Sequence, residues 1–218
     1  MRFDAVIFDL DGTLLDSLLD LAETVNEVLR LLDRPPYRVD EYRFMVGDGV
    51  SVLFQRALPE TAHDLVLKER ALHLFDSVYS TRWNNHSKPY DGIPSTLEIL
   101  ENVGMRLCIL SNKPDAFTKK CAAQFFPSTK FDMVVGHSER FPRKPDPSSA
   151  RWIASQLGIR SERMAYVGDT NTDMKTAVEA GFHAIGVTWG FRPESELREW
   201  GADSIANTPG ELTKVLTG

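Results

Sequence analysis

The spacing of apolar and polar positions changes character along the chain. Unbroken apolar runs predict strands at 5–9, 106–110, 133–135, 164–167 and 184–187. Runs of this kind, without alternation, belong to strands buried on both faces, hence to a parallel sheet covered by helices. Between them lie helical patterns at 95–102, 115–124, 148–157 and 172–180, with another at 211–216 near the end. Alternating strands and helices predict a doubly wound α/β fold. Residues 16–88 break the rhythm, with helical periodicity and no convincing strand. Leu18, Leu21, Ala22, Val25, Val28, Leu29 and Leu32 mark one helix face, and further helices are expected at 51–58 and 61–79. The block is too long for a crossover between strands. It predicts an inserted α-helical domain at 16–88, with the core formed by 1–15 and 89–218. Pro35-Pro36 is a turn inside it, and "KPYDG" at 88–92 leads back to the sheet.

Ligands of open parallel sheets bind outside the carboxyl ends of the strands. Asp9 ends the first run, Ser111 and Asn112 follow the second, and Asp169 follows Val167-Gly168. Lys144 sits in "FPRKPDP" before a helix. Singly, an Asp, Ser or Asn at such a place is equally a helix cap. Jointly, they predict one polar edge. Asp9 and Asp169 converging there would repel unless a cation lies between them, and hard oxygen ligands shared with a phosphate suit Mg²⁺. A phosphate would need donors. Lys144 offers a point charge, while Thr13, Ser111 and Asn112 offer hydrogen bonds. The Asp11-Gly12-Thr13 turn offers backbone N–H groups, with Gly12 letting the backbone come close. Asp9 is placed to attack phosphorus and Asp11, two residues on, to move protons at the leaving group.

Composition narrows the classes. The 218 residues carry a net charge of −6, which argues against nucleic acid or an anionic membrane as partner. Two cysteines, Cys108 and Cys121, are too few for a disulfide framework and read as buried or semi-buried thiols. No run approaches the ~18 apolar residues of a membrane span, and the start lacks a secretory pattern. The expectation is a cytoplasmic protein, monomer or homodimer, acting on a small phosphorylated metabolite. The five histidines show no metal-ligand spacing and are expected at the surface or in loops. Trp189 and Phe191 are expected to serve packing or an interface.

"FDLDGTLLDS", "LSNK", "KPDP" and "GDTNTD", in that order from Phe8 to Asp173, resemble the four signature motifs of the haloacid dehalogenase (HAD) superfamily of phosphohydrolases. The resemblance implies a HAD-like Rossmannoid core, with Asp9 as nucleophile and Asp11 as general acid and base. It implies Ser111 and Lys144 as phosphoryl ligands, and Mg²⁺ held by Asp9, Asp169 and the backbone carbonyl of Asp11. Asp173 would hold a metal-bound water or a neighbouring loop. The helical insert falls where the superfamily places its cap. "RFMVGDGVSVLFQRAL" and "GVTWGFRPESELREWGAD" resemble the phosphoglycolate phosphatase-like group, which implies 2-phosphoglycolate as substrate. Pyrophosphate, sugar phosphates and phosphomutase chemistry share the scaffold. The loop at 46–50 is either a specificity loop or a tight turn between helices. Arg43 and Arg56 either clamp a substrate carboxylate or lie on solvated faces. A signalling receiver domain would also combine an acceptor Asp, an acidic pair, Ser/Thr and Lys. It would, however, carry the acidic pair on the first strand and lack the helical insert. A noncatalytic phosphate-binding module would hardly need all of Asp9, Asp11, Ser111, Lys144 and Asp169.

Overall fold

The computed structural model of the chain describes residues 2–218. In chain order it contains β1 (Ala5–Phe8), β2 (Leu15–Asp16), α1 (Leu18–Leu31), α2 (Val50–Ala57) and α3 (Leu65–Arg82). Then come β3 (Lys88–Pro89), α4 (Ile93–Asn102), β4 (Arg106–Pro114), α5 (Asp115–Phe125), β5 (Met133–His137) and α6 (Ser148–Leu157). The chain closes with β6 (Met164–Gly168), α7 (Asn171–Ala180), β7 (His183–Val187), α8 (Glu194–Glu199), β8 (Ser204–Ala206) and α9 (Pro209–Thr217). No helix among the described residues is long and apolar enough to cross a membrane.

The chain forms two units, Met1–Leu15 with Pro89–Gly218, and Asp16–Lys88. The first is built on a six-stranded sheet in the order β5-β4-β1-β6-β7-β8, every neighbouring pair parallel. All four residues of β1 are buried, as a strand covered on both faces requires. Ile7, Cys108, Tyr166, Ala150, Ile153 and Met174 belong to one apolar cluster drawn from the sheet, α6 and α7. This is the doubly wound α/β fold that the strand and helix patterns predict. The strand order reverses at β1, because β4 and β5 lie on one side of it and β6, β7 and β8 on the other. Such a reversal opens a crevice at the carboxyl end of the central strand.

Several elements differ from the sequence expectation. β4 continues through Ser111 and Asn112 to Pro114, with an irregular register after Leu110. α8 and β8 have no counterpart among the predicted elements. β8 is a three-residue edge strand, too short to show a period. In the helical unit the third helix begins at Leu65 rather than near Thr61, because the Asp64 carboxylate accepts the Leu67 N–H at 2.9 Å and caps it there. Residues 59–62 form a separate 3₁₀ turn.

Within Asp16–Lys88, the whole predicted face of the first helix is buried. Phe54 meets Phe75 edge-on at 5.9 Å, and Phe75 stacks on Tyr79 at 5.1 Å. Buried Asp20 accepts the His86 N–H, the Ser87 N–H and the Ser87 hydroxyl, fixing the end of the unit to α1. Arg56 donates to the Met45 carbonyl at 2.9 Å and to the Asp48 carboxylate at 2.5 Å. Its guanidinium thus braces the 46–50 loop. Arg43 is half-exposed, 4.0 Å from Asp40.

Candidate active site

The register of the central strands brings the polar positions together. Phe8 pairs with Ile109 on β4 and Val167 on β6, so Asp9 stands level with Leu110 and Gly168. Its amide donates to the Val167 carbonyl. Ser111 lies one step further along β4, and Asp169 one step beyond β6. Asp9, Ser111, Asn112, Lys144, Asp169 and Asp173 are all buried.

Lys144 reaches the site from the loop before α6, through a cis Lys144–Pro145 peptide. Its ammonium lies 2.8 Å from Asp9 Oδ1 and 2.7 Å from Asp173 Oδ1. Asp9 Oδ1 also accepts the Leu10 N–H at 2.7 Å, and Oδ2 takes no hydrogen bond among the described residues. Asp169 is fixed through both oxygens, by the Thr13 hydroxyl at 2.8 Å and the Phe191 N–H at 2.8 Å. Asp173 closes a capping box with Thr170 at the start of α7 and presents its other oxygen to Lys144.

Carboxylate oxygens of Asp9, Asp169 and Asp173 lie within 4.8 Å of one another. At an effective dielectric of ~20, two unit charges at that separation repel by about 3 kcal/mol. Burial and the neighbouring Asp173 push Asp9 up to about 7, and burial with Asp173 and Asp9 pushes Asp169 well above the usual carboxylate range. Burial works against the Lys144 ammonium, but Asp173 and Asp9 more than offset it, so it stays charged. One ammonium therefore faces three buried carboxylates. That excess of hard, negative oxygen is what a divalent cation relieves, and the donor set fits one.

Other predicted donors also have partners within the protein. Gly12 N–H donates to the Leu15 carbonyl and Thr13 N–H to the Leu10 carbonyl, so these two amides close the turn rather than form an open anion nest. The Thr13 hydroxyl goes to Asp169. The Asn112 amide donates to the Lys144 carbonyl at 3.1 Å and accepts the Lys144 N–H at 2.7 Å. It shapes the Lys144 loop. Ser111 Oγ accepts the Lys113 N–H at 3.2 Å, which leaves its own proton to donate.

Three contributors escaped the sequence reading. Lys113 places its ammonium on both oxygens of Asp11, at 2.9 and 2.7 Å. A usable signal was present, since extended chain has a period of two and Lys113 follows Ser111 by two. Trp189 donates its indole N–H to the Thr13 carbonyl at 3.0 Å. It braces the turn after β1 from a loop 176 residues away. Gly190 admits no side chain, because a Cβ there would fall inside Asp169 and against the Gly12 carbonyl. Gly12 is likewise confined, with φ +91° and Asp169 where a Cβ would be. The histidine expectation fails at His183, which begins β7 half-buried and lies 2.9 Å from Ser204 Oγ.

Comparison with known proteins gives the family. The chain is 32% identical to a phosphoglycolate phosphatase of Vibrio cholerae, over 97% of this chain and 96% of that one. It is 34% identical to a phosphoglycolate phosphatase of Pseudomonas putida, over 98% and 78%. A predicted phosphoglycolate phosphatase from Haemophilus somnus superposes with a TM-score of 0.91 at 26% identity, covering 99% of this chain and 98% of that one. The family model for haloacid dehalogenase-like hydrolases matches residues 6–187, and the chain belongs to that family.

Proposed function

We propose that this hydrolase is a Mg²⁺-dependent phosphatase of small phosphate monoesters, working through an aspartyl-phosphate on Asp9, with 2-phosphoglycolate as its substrate. The relatives named above support the phosphatase class and the substrate. The observation that carries the mechanism is Asp9 itself. It stands at the end of the central strand, one oxygen on Lys144 and the other without a hydrogen bond. In this reading Asp9 Oδ2 attacks phosphorus while Lys144 and the Ser111 hydroxyl hold the phosphoryl oxygens. The ester P–O bond breaks, its electron pair leaves with the alkoxide, and Asp11 supplies the proton. Asp11 then takes a proton from water as that water attacks the aspartyl-phosphate, freeing inorganic phosphate and Asp9. Asp9 and Asp169, with Asp173 beside them, would hold the cation. When bound, it neutralises charge on the carboxylates and the phosphoryl group.

The test is phosphate release from 2-phosphoglycolate, pyrophosphate, sugar phosphates and nucleotides, with Mg²⁺ or with chelator. The expected result is a strong preference for 2-phosphoglycolate, lost on chelation and in Asp9→Asn. Broad, weak activity that still needs Asp9 would keep the mechanism and overturn the substrate. Phosphoryl return to a sugar in place of release would make the protein a mutase.

A further inference from the structure

Asp9 and Asp11 stand two places apart, yet their carboxylates go to different surroundings. Asp9 joins Asp169 and Asp173 and meets Lys144. Asp11 is not a member of that cluster. Both its oxygens go to Lys113, whose side chain is 4% exposed. A buried ammonium has given up most of its hydration, so its position is set by the partner it finds. The backbone beneath it is fixed too. β4 pairs with β1 as far as Ile109, and beyond it the Lys113 N–H is tied to Ser111 Oγ at 3.2 Å. The pair therefore links the turn after β1 to the end of β4 with Asp11 in a single orientation.

We propose that Lys113 is the positioning residue for Asp11. It holds that carboxylate apart from the Asp9–Asp169–Asp173 cluster, in the orientation from which it serves the leaving-group oxygen. The inference rests on the reading of Asp11 as proton donor and acceptor given above.

The test uses leaving groups that differ in their need for a proton. A positioned general acid is worth roughly 10²–10⁴-fold when an alkoxide departs, whereas p-nitrophenolate leaves without one. Wild type, Lys113→Met, Asp11→Asn and the double variant are assayed for kcat and KM with Mg²⁺. The substrates are p-nitrophenyl phosphate and the alkyl ester of the panel that wild type hydrolyses best. Lys113→Gln is run beside them, and far-UV circular dichroism with urea unfolding reports that each variant is folded. We expect Lys113→Met to lower kcat/KM, which reports phosphoryl transfer to Asp9 and not the later water step common to both esters, at least about tenfold more on the alkyl ester than on the aryl ester. With Asp11 already Asn, it should add less than about threefold, because coupled residues are not additive. A loss on the alkyl ester no greater than on the aryl ester overturns the proposal, as does a full loss retained in the double variant. If Asp11→Asn itself spares the alkyl ester, the proton-transfer reading falls, and the positioning role with it. That result comes from a protein still carrying Lys113, so the two failures are distinct.

Discussion

Asp9→Asn should stabilise the metal-free protein at alkaline pH, although it removes the nucleophile of the proposed mechanism. The unfolded chain ionises Asp9 near 3.8, and the folded protein holds it up to about 7. Both states are protonated at low pH, so the carboxyl then costs nothing. As pH rises past the unfolded value, the unfolded chain ionises first and stability is lost progressively, until the folded group ionises too. The full cost is about 4 kcal/mol above pH 7, and less than half of that at pH 5. Asparagine keeps the shape without the charge. Lys144 is not orphaned, because Asp173 stays 2.7 Å away. Half-buried His183 is held below its usual value, chiefly by burial, but it titrates in both proteins and cancels. Urea unfolding of wild type and Asp9→Asn at pH 5 and pH 8, in chelator, isolates the effect. The variant should gain about 2–3 kcal/mol more at pH 8 than at pH 5. With saturating Mg²⁺ the sign should reverse, since only wild type keeps the full ligand set. An Asp9→Asn protein less stable than wild type at pH 8 in chelator would refute the reasoning. It would show that the Lys144 pair outweighs burial and repulsion at this position.

Metal affinity should weaken as pH falls through 7, because Asp9 must give up its proton to become a ligand. Calorimetry in buffers of different ionisation enthalpy would show the proton released, and a flat profile from pH 6 to 8 would count against it. Gly190→Ala should cost about 1–3 kcal/mol in urea unfolding and weaken metal binding, because the new Cβ displaces Asp169. A variant with wild-type affinity would show that the loop yields freely. Arg56→Ala should raise amide exchange at 46–48 by releasing the Met45 carbonyl and Asp48. Unchanged exchange there would mean the loop is held by other contacts.

What could be read from the sequence was what is local in it. The buried run of β1, the helical faces of 16–88 and the polar residues at strand ends each lie within a few consecutive positions. Their periodicity carries the information. Where a side chain finds its partner across the sheet, no local pattern reports it. Thr13 and Asn112 look like phosphate donors in the chain. The fold sends one to Asp169 and the other to the Lys144 backbone, because buried polar groups must find partners. Lys113 reads as the tail of "LSNK" until the fold sets it against Asp11, 102 residues away. The two carboxylates of "FDLDG" are consequently told apart less by their own turn than by the lysines they meet. Lys144 arrives from the loop before α6 and leaves Asp9 among other acids. Lys113 arrives from β4 and takes Asp11 out of their reach. In the proposed mechanism two identical side chains at the end of one strand then do different chemistry, their surroundings being set by residues more than a hundred positions downstream.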